Sequence, residues 1–303
     1  MAIVKVRVQI DGVWTNLTKS NGKWTGTITA PSTTSYNLAN KYYPIKIEAT
    51  NDAGTVVTKD ATDATLGSAL RLVVKETMKP TITLVSPSKG AFVTNNKQPI
   101  VFKVLDEAGG SGVNLSTVKL KVDGTTYSST STGMVCTGIT NGYQVTFTPQ
   151  SALSDGSHTI TINASDNDGN VATAISSTYT IDTVPPTLTI SSPSAGLITN
   201  KAAQTVKGKT NDATSSPITL TITLNGNSLG TVPVATDGSF TKDITLVEGT
   251  NTIVVTAKDG AGQTSTVNVS VKLDTTVPKL SNIALTPNPA NTSASVAITV
   301  EVN

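Results

Sequence analysis

The sequence predicts an all-β chain built as a series of two-sheet sandwiches, and three observations carry that expectation. Short apolar runs alternate with period two along the 303 residues, the spacing of half-buried strands. Several of these runs end in Asp-Gly or Asn-Gly, the dipeptides that close tight antiparallel hairpins. The pattern also repeats, and no stretch of useful length has helical periodicity.

The elements follow in order. A first strand, Val4, Val6, Val8 and Ile10, runs into Asp11-Gly12. Its counterparts are Val118, Leu120 and Val122 before Asp123-Gly124, and Leu220, Ile222 and Leu224 before Asn225-Gly226. A second recurrence places Asn or Asp two residues after a fixed Ala and Gly five after it. It reads Ala49, Asn51, Gly54; then Ala164, Asp166, Gly169; then Ala257, Asp259, Gly262. Each is preceded by an alternating strand and followed by another: Leu70, Leu72, Val74; then Tyr179, Ile181; then Val267, Val269, Val271, Leu273. Proline-marked junctions close the repeats at Lys79-Pro80, Pro185-Pro186 and Val277-Pro278.

These junctions set the expected domains: an incomplete sandwich at 1–78, complete ones at 79–184 and 185–276, and a partial strand pair at 277–303. Pro80 to Asp123 is 43 positions and Pro186 to Asn225 is 39, whereas Met1 to Asp11 is only 10. The first repeat is therefore expected to lack its front strands, about thirty residues or two short strands. The 26 residues from Pro278 read as such a pair, ending in the alternation Val296, Ile298, Val300, Val302. Short proline-stiffened junctions predict a semi-rigid rod. Unpaired strand edges invite pairing with another chain. The expected assembly places Val296, Ile298, Val300 and Val302 beside Val4, Val6, Val8 and Ile10 of an acceptor.

Composition excludes several function classes. Charged residues are 14% with a formal net charge of +2, and aromatics are 4%, so neither an electrostatic nor a stacking surface for nucleic acid is expected. No apolar run approaches the ~18 residues a membrane-spanning helix needs. The N-terminal "MAIVKVRVQIDG" has a strand pattern rather than that of a signal peptide, so folding in the cytoplasm is expected. Cys136 is the single cysteine, which precludes an intrachain disulfide.

The hairpin "ASDNDGN" (164–170), the junction "DTVPPTLTISSPSAG" (182–196) and "DEAGGSGVNLSTVKLKVDG" (106–124) resemble bacterial Ig-like repeat domains. The tail, "LSNIALTPNPANTSASVAITVEVN", is similar to the start of another such domain. The resemblance implies tandem Ig-like β-sandwiches. The whole arrangement also resembles Ig-like proteins of tailed phages and prophages. That likeness implies decoration of a tail, baseplate or capsid, and adhesion to cell surfaces.

Candidate chemistry is sparse. His158, the single histidine, lies on a strand entering a sheet, and no nucleophile-base spacing accompanies it, so no enzyme and no catalytic residue is expected. Asp166, Asp168 and Asn170 suggest calcium ligation, with Asp182 as a possible extra ligand. An EF-hand loop from Asp166 would need Glu at its twelfth position, which is Ser177. The tight-turn reading of these residues wins, and no metal or cofactor is expected. Trp14, Trp24 and Tyr42 fall in the first repeat and are candidates for docking a partner or a cell-surface glycan.

The expected function is structural and adhesive, in a virion or phage-like particle or alternatively at a cell surface. The expected partner is a tail, baseplate or capsid protein. The alternatives are a filament joined head to tail through a second copy, and a carbohydrate-binding module.

Overall fold

The computed structural model describes residues 1–302; Asn303, the last residue of the expected tail, lies outside the described residues. The chain is all-β and divides into two compact units, Met1–Asp182 and Thr183–Asn303.

In the first unit, the opening segment contributes β1 (Ile3–Ile10), β2 (Val13–Asn16), β3 (Thr18–Ser20) and β4 (Lys23–Thr25), then β5 (Tyr43–Pro44), β6 (Lys46–Asn51), β7 (Val56–Lys59) and β8 (Arg71–Leu72). A complete sandwich follows: β9 (Thr81–Ser86), β10 (Phe92–Val93), β11 (Ile100–Leu105), β12 (Lys119–Val122), β13 (Thr125–Ser128), β14 (Met134–Ile139), β15 (Gly142–Phe147), β16 (Gly156–Asn163) and β17 (Ile175–Ile181). Its two sheets run β14-β15-β11-β9 and β10-β17-β16-β12-β13. Alternation decides which side chains meet between them. Ile100, Phe102 and Val104 of β11 face Leu120 of β12 and Ile160 and Ile162 of β16 in one core, all fully buried.

The second unit repeats the plan with β18 (Thr187–Ser192), β19 (Leu197–Thr199), β20 (Ala203–Asn211), β21 (Thr219–Leu224), β22 (Asn227–Val232), β23 (Ser239–Thr245), β24 (Gly249–Lys258) and β25 (Thr264–Leu273). Its sheets are β18-β20-β23 and β19-β25-β24-β21-β22, around Val206, Ile222, Phe240, Ile253, Val255 and Val271. Beyond it, β26 (Leu280–Thr286) and β27 (Ala297–Val302) form a two-stranded sheet.

The Asp-Gly and Asn-Gly signals mark turns as expected. Asp11, Asp123 and Asn225 take φ of 47°, 47° and 51°, and the glycine after each is also left-handed. Positive φ at both central residues matches the twist of the flanking strands, and Asp, Asn and Gly tolerate it best.

The opening segment is reduced. Its main sheet is β2-β1-β6-β7, with β3-β4 and β5-β8 as separate pairs. The strand expected over Leu70, Leu72 and Val74 is reduced to β8, which pairs with β5; the strand that pairs with β6 after the 51–54 turn is β7, and 60–70 separates the two. The hairpin β3–β4 turns at Asn21-Gly22 and β14–β15 at Thr140-Asn141, and by its place in the hairpin β4 is the counterpart of β15. Among the described residues of the opening segment nothing corresponds to β9 and β11, which complete the β15 sheet in the full sandwich.

Phe102 tests this packing. Phe102→Ala removes a fully buried ring and is expected to destabilise the Met1–Asp182 unit by about 3–5 kcal/mol. Val135→Thr, at an exposed position of β14 in the same sheet, is expected to stay within about 0.5 kcal/mol. Urea unfolding of both variants measures the difference.

Candidate functional site

Three carboxylates converge where the connector after β8 meets the sandwich. Glu76 comes from that connector, Asp106 from the loop leaving β11, and Asp166 from the turn after β16. Each offers an oxygen within 4.8 Å of the other two. Local backbone chemistry explains how they are held. Asp166 closes its own turn, its Oδ1 accepting from Gly169 N at 2.6 Å and Asn170 N at 2.8 Å. Asn51 Oδ1 does the same for Ala53 N and Thr55 N, and Asp259 Oδ1 for Gln263 N. Asp106 Oδ2 accepts from Gly112 N at 2.7 Å, and Glu76 Oε1 from the Ser111 hydroxyl at 3.1 Å. Gly110 leaves room for the cluster: a Cβ there would lie 2.6 Å from Glu107 Oε1 and 2.7 Å from Asp106 Oδ2.

The surrounding bonds tie the connector to the sandwich. Lys75 Nζ donates to Asp168 O at 3.0 Å, Glu76 N to Asp168 Oδ2 at 3.1 Å, and Asn170 Nδ2 to Glu76 O at 3.1 Å. Farther back in the chain, Thr34 donates its hydroxyl to Asp168 Oδ2, and Asn37 Nδ2 donates to Gly110 O at 2.7 Å.

The electrostatics are strained. Burial, with the facing Asp166 carboxylate, pushes Glu76 up to about 7. Burial likewise pushes Asp106 up to about 6, Glu107 and Asp166 adding to it. Burial also acts on Asp166, but the bonds from Asn170 and Gly169 outweigh it and hold that carboxyl below its ordinary value.

The turn reading of Asp166, Asp168 and Asn170 is therefore correct in its mechanism, while Asp166 also takes part in a cluster assembled from distant segments. Glu76 and Asp106 lie 90 and 60 residues from Asp166, beyond the reach of any local spacing rule. The acids in "KETMKP" and "LDEAGG" were the available signal. Asp182, buried after β17, is not one of the carboxylates gathered around Asp166.

The expected assembly residues need a correction in placement. β6 pairs with β1 over Ile3–Gln9 and β2 pairs with its second half, Arg7–Ile10, so Val8 and Ile10 do not lie on a free edge. Val6 and Val8 are buried, Val4 is exposed and Ile10 half-buried. In the complete sandwiches the front strands pair with the other sheet, β11 with β15 and β20 with β23. The open edge for such a strand in the opening segment is therefore that of β4. At the other end, Val296 precedes β27, and Val296, Ile298, Val300 and Val302 are all exposed.

Trp14, Trp24 and Tyr42 are half-buried and lie on β2, on β4 and before β5. The guanidinium of Arg7 sits 4.2 Å over the Trp14 ring and that of Arg71 5.1 Å from Tyr42. The ring-ring contacts among the described residues lie elsewhere, at Tyr127–Phe147 and His158–Tyr179. His158 is a buried strut: Nδ1 bonds Asp123 Oδ2 at 2.6 Å and Nε2 bonds Ser154 O at 2.8 Å, fixing the Asp-Gly turn to β16. Cys136 packs half-buried against the core, and burial pushes its thiol up.

A pH dependence follows from the cluster. Glu76 and Asp106 titrate above their ordinary values of 4.5 and 3.8, so protonation favours the folded state. That contribution is complete below about pH 4 and is lost as pH rises through 6 to 7. In buffer free of divalent cations, the Tm of the Met1–Asp182 unit is expected to fall between pH 5 and pH 7.5. Glu76→Gln is expected to flatten the fall, as differential scanning calorimetry would read.

Two family models match the chain: a bacterial Ig domain over residues 80–162, and domain B of glucodextranase over residues 186–275. Bacillopeptidase F of Bacillus subtilis (strain 168) is 30% identical over 131 residues, 43% of this chain and 9% of that protein. The chain thus spans less than a tenth of that relative. Among solved structures, the fibronectin(III)-like modules of Clostridium thermocellum CbhA align with TM-score 0.37 and 16% identity, covering 64% of this chain and 94% of theirs. Immunoglobulin domains 1–4 of Sidekick-1 align with TM-score 0.39 and 12% identity, covering 89% and 67%.

Proposed function

We propose that this Ig-like repeat protein is a non-enzymatic structural and adhesive component that attaches through its C-terminal hairpin and presents its sandwiches as spacing or binding modules. One observation carries the reading. In β26–β27, Leu280 pairs with Val302 as Ile82 pairs with Val104 in β9–β11. Ile298, Val300 and Val302 then hold the positions of Ile100, Phe102 and Val104. The latter three are 0% exposed, whereas Ile298, Val300 and Val302 are 68%, 42% and 60% exposed. Covering three such side chains is favourable by on the order of 5 kcal/mol before ordering costs. A two-stranded hairpin is marginal in water, so this element is expected to pack against further strands, whichever chain supplies them.

The absence of catalysis is supported by His158, whose two ring nitrogens are committed to Asp123 and Ser154. The resemblance to tailed-phage Ig-like proteins supports a tail, baseplate or capsid protein as the acceptor, with a cell surface as the alternative setting. The glycan reading gains nothing from the geometry, since Arg7 and Arg71 approach two of the three candidate rings.

A second reading, the head-to-tail filament, is favoured by the open edge of β4. Register transferred from β11–β15 places Val302 opposite Trp24, because Val104 pairs with Tyr143, the second residue after the β14–β15 turn as Trp24 is after the β3–β4 turn. Light scattering distinguishes the two acceptors. A filament predicts a mass rising above 31.1 kDa with concentration and returning to a monomer's on deletion of 278–303. A constant monomer mass assigns the hairpin to a different protein. Deletion that leaves binding to the native particle or surface intact would overturn attachment through the hairpin.

A further inference from the structure

We infer that Glu76, Asp106 and Asp166 form a calcium-class divalent-cation site that locks the connector after β8 onto the sandwich following it, with Glu107 at its edge. The first support is geometry. Carboxylate oxygens from all three residues lie within 4.8 Å of one another. That span is about twice the ~2.4 Å of a calcium–oxygen bond, so one ion reaches all three.

The second support is independent of the clustering. Asp106 is 6% exposed, and its Oδ1 is enclosed with no hydrogen-bond partner. Glu76 Oε2 and Glu107 Oε2 are enclosed and unpartnered in the same way. A buried carboxylate oxygen without a donor is costly, and here the orphaned atoms belong to one cluster. The ion pairs among the described residues involve none of these four acids. The cluster therefore gathers several carboxylates without a direct ion pair to any of them among the described residues.

The arrangement also recurs by position in the second unit. Asp212 follows β20 as Asp106 follows β11, and Asp259 follows β24 as Asp166 follows β16. Carboxylate oxygens of Asp212 and Asp259 lie within 4.8 Å, and Asp259 Oδ2 is again enclosed without a partner.

Donor chemistry selects the ion. The three residues offer only hard oxygens, with no histidine or cysteine, which disfavours zinc. Several carboxylates from separate loops make an irregular, oxygen-rich shell. Calcium accepts six to eight ligands in flexible geometry, whereas magnesium requires a near-ideal octahedron and retains its waters. A groove lined by Thr34, Lys75, Glu76, Glu107 and Gly110 gives an entry path.

The test uses the full chain, freed of metal with a chelator and then supplied with calcium chloride. Hydrogen exchange read by mass spectrometry localises the response, so binding elsewhere does not confuse it. Calcium is expected to slow exchange in peptides covering 73–80 and 106–112 by at least about tenfold. Glu76→Gln with Asp106→Asn keeps the side-chain shapes and is expected to abolish that slowing. Asp166 is left intact because it holds its turn. Identical wild-type exchange with calcium and with chelator overturns the site, whatever the variant does. Slowing that survives in the double variant overturns the ligand assignment, and equal slowing by magnesium overturns the choice of ion.

Discussion

A two-sheet sandwich is stable only when each sheet's apolar face is covered by the other, and this constraint organises the molecule. In the middle sandwich the front strands β9 and β11 contribute Ile82, Leu84, Ile100, Phe102 and Val104, and the back strands cover them with Leu120, Ile160 and Ile162. The third sandwich meets the same requirement with Val206 and Phe240 against Ile222 and Val255. One element does not meet it internally: β26–β27 is a two-stranded sheet whose Ile298, Val300 and Val302 lie in solvent. Uncovered faces of this kind are where a β protein associates.

The junction inside the first unit shows a second requirement. Loops at the end of a sandwich carry backbone groups and acids that must find partners. Here Asp166 satisfies its turn, Asp168 accepts from Thr34 and from Glu76 N, and Asn170 donates to Glu76 O. What remains unbalanced is charge. Protonation of Glu76 and Asp106 relieves it at low pH, and a bound cation would relieve it at neutral pH.

Strands and turns were legible in the sequence because their signals are local. Val118, Leu120 and Val122 alternate over one strand, and Asp123-Gly124 can close it in few ways. The repeat then carried the fold by registering three copies of one pattern. Placement across sheets was less legible. Alternation in Val4, Val6, Val8 and Ile10 says which side chains are buried but not which neighbours flank the strand, so β1 read as an edge although β2 covers its second half. The separation of β7 from β8 went unread because 60–70 has no periodicity of its own. Glu76 and Asp106 were hidden because carboxylates brought together by folding leave no fixed spacing.

The central claim is that β26–β27 presents Ile298, Val300 and Val302 to an acceptor sheet, and where that acceptor is a second copy of the chain the receiving strand is β4 rather than β1. Disulfide trapping in a Cys136→Ser background tests it most directly. Trp24→Cys combined with Val302→Cys is predicted to give intermolecular cross-linked species in high yield, with Val8→Cys and Val302→Cys giving little. Preferential trapping through Val8, or equal and low yields from both pairs, would contradict the predicted pairing.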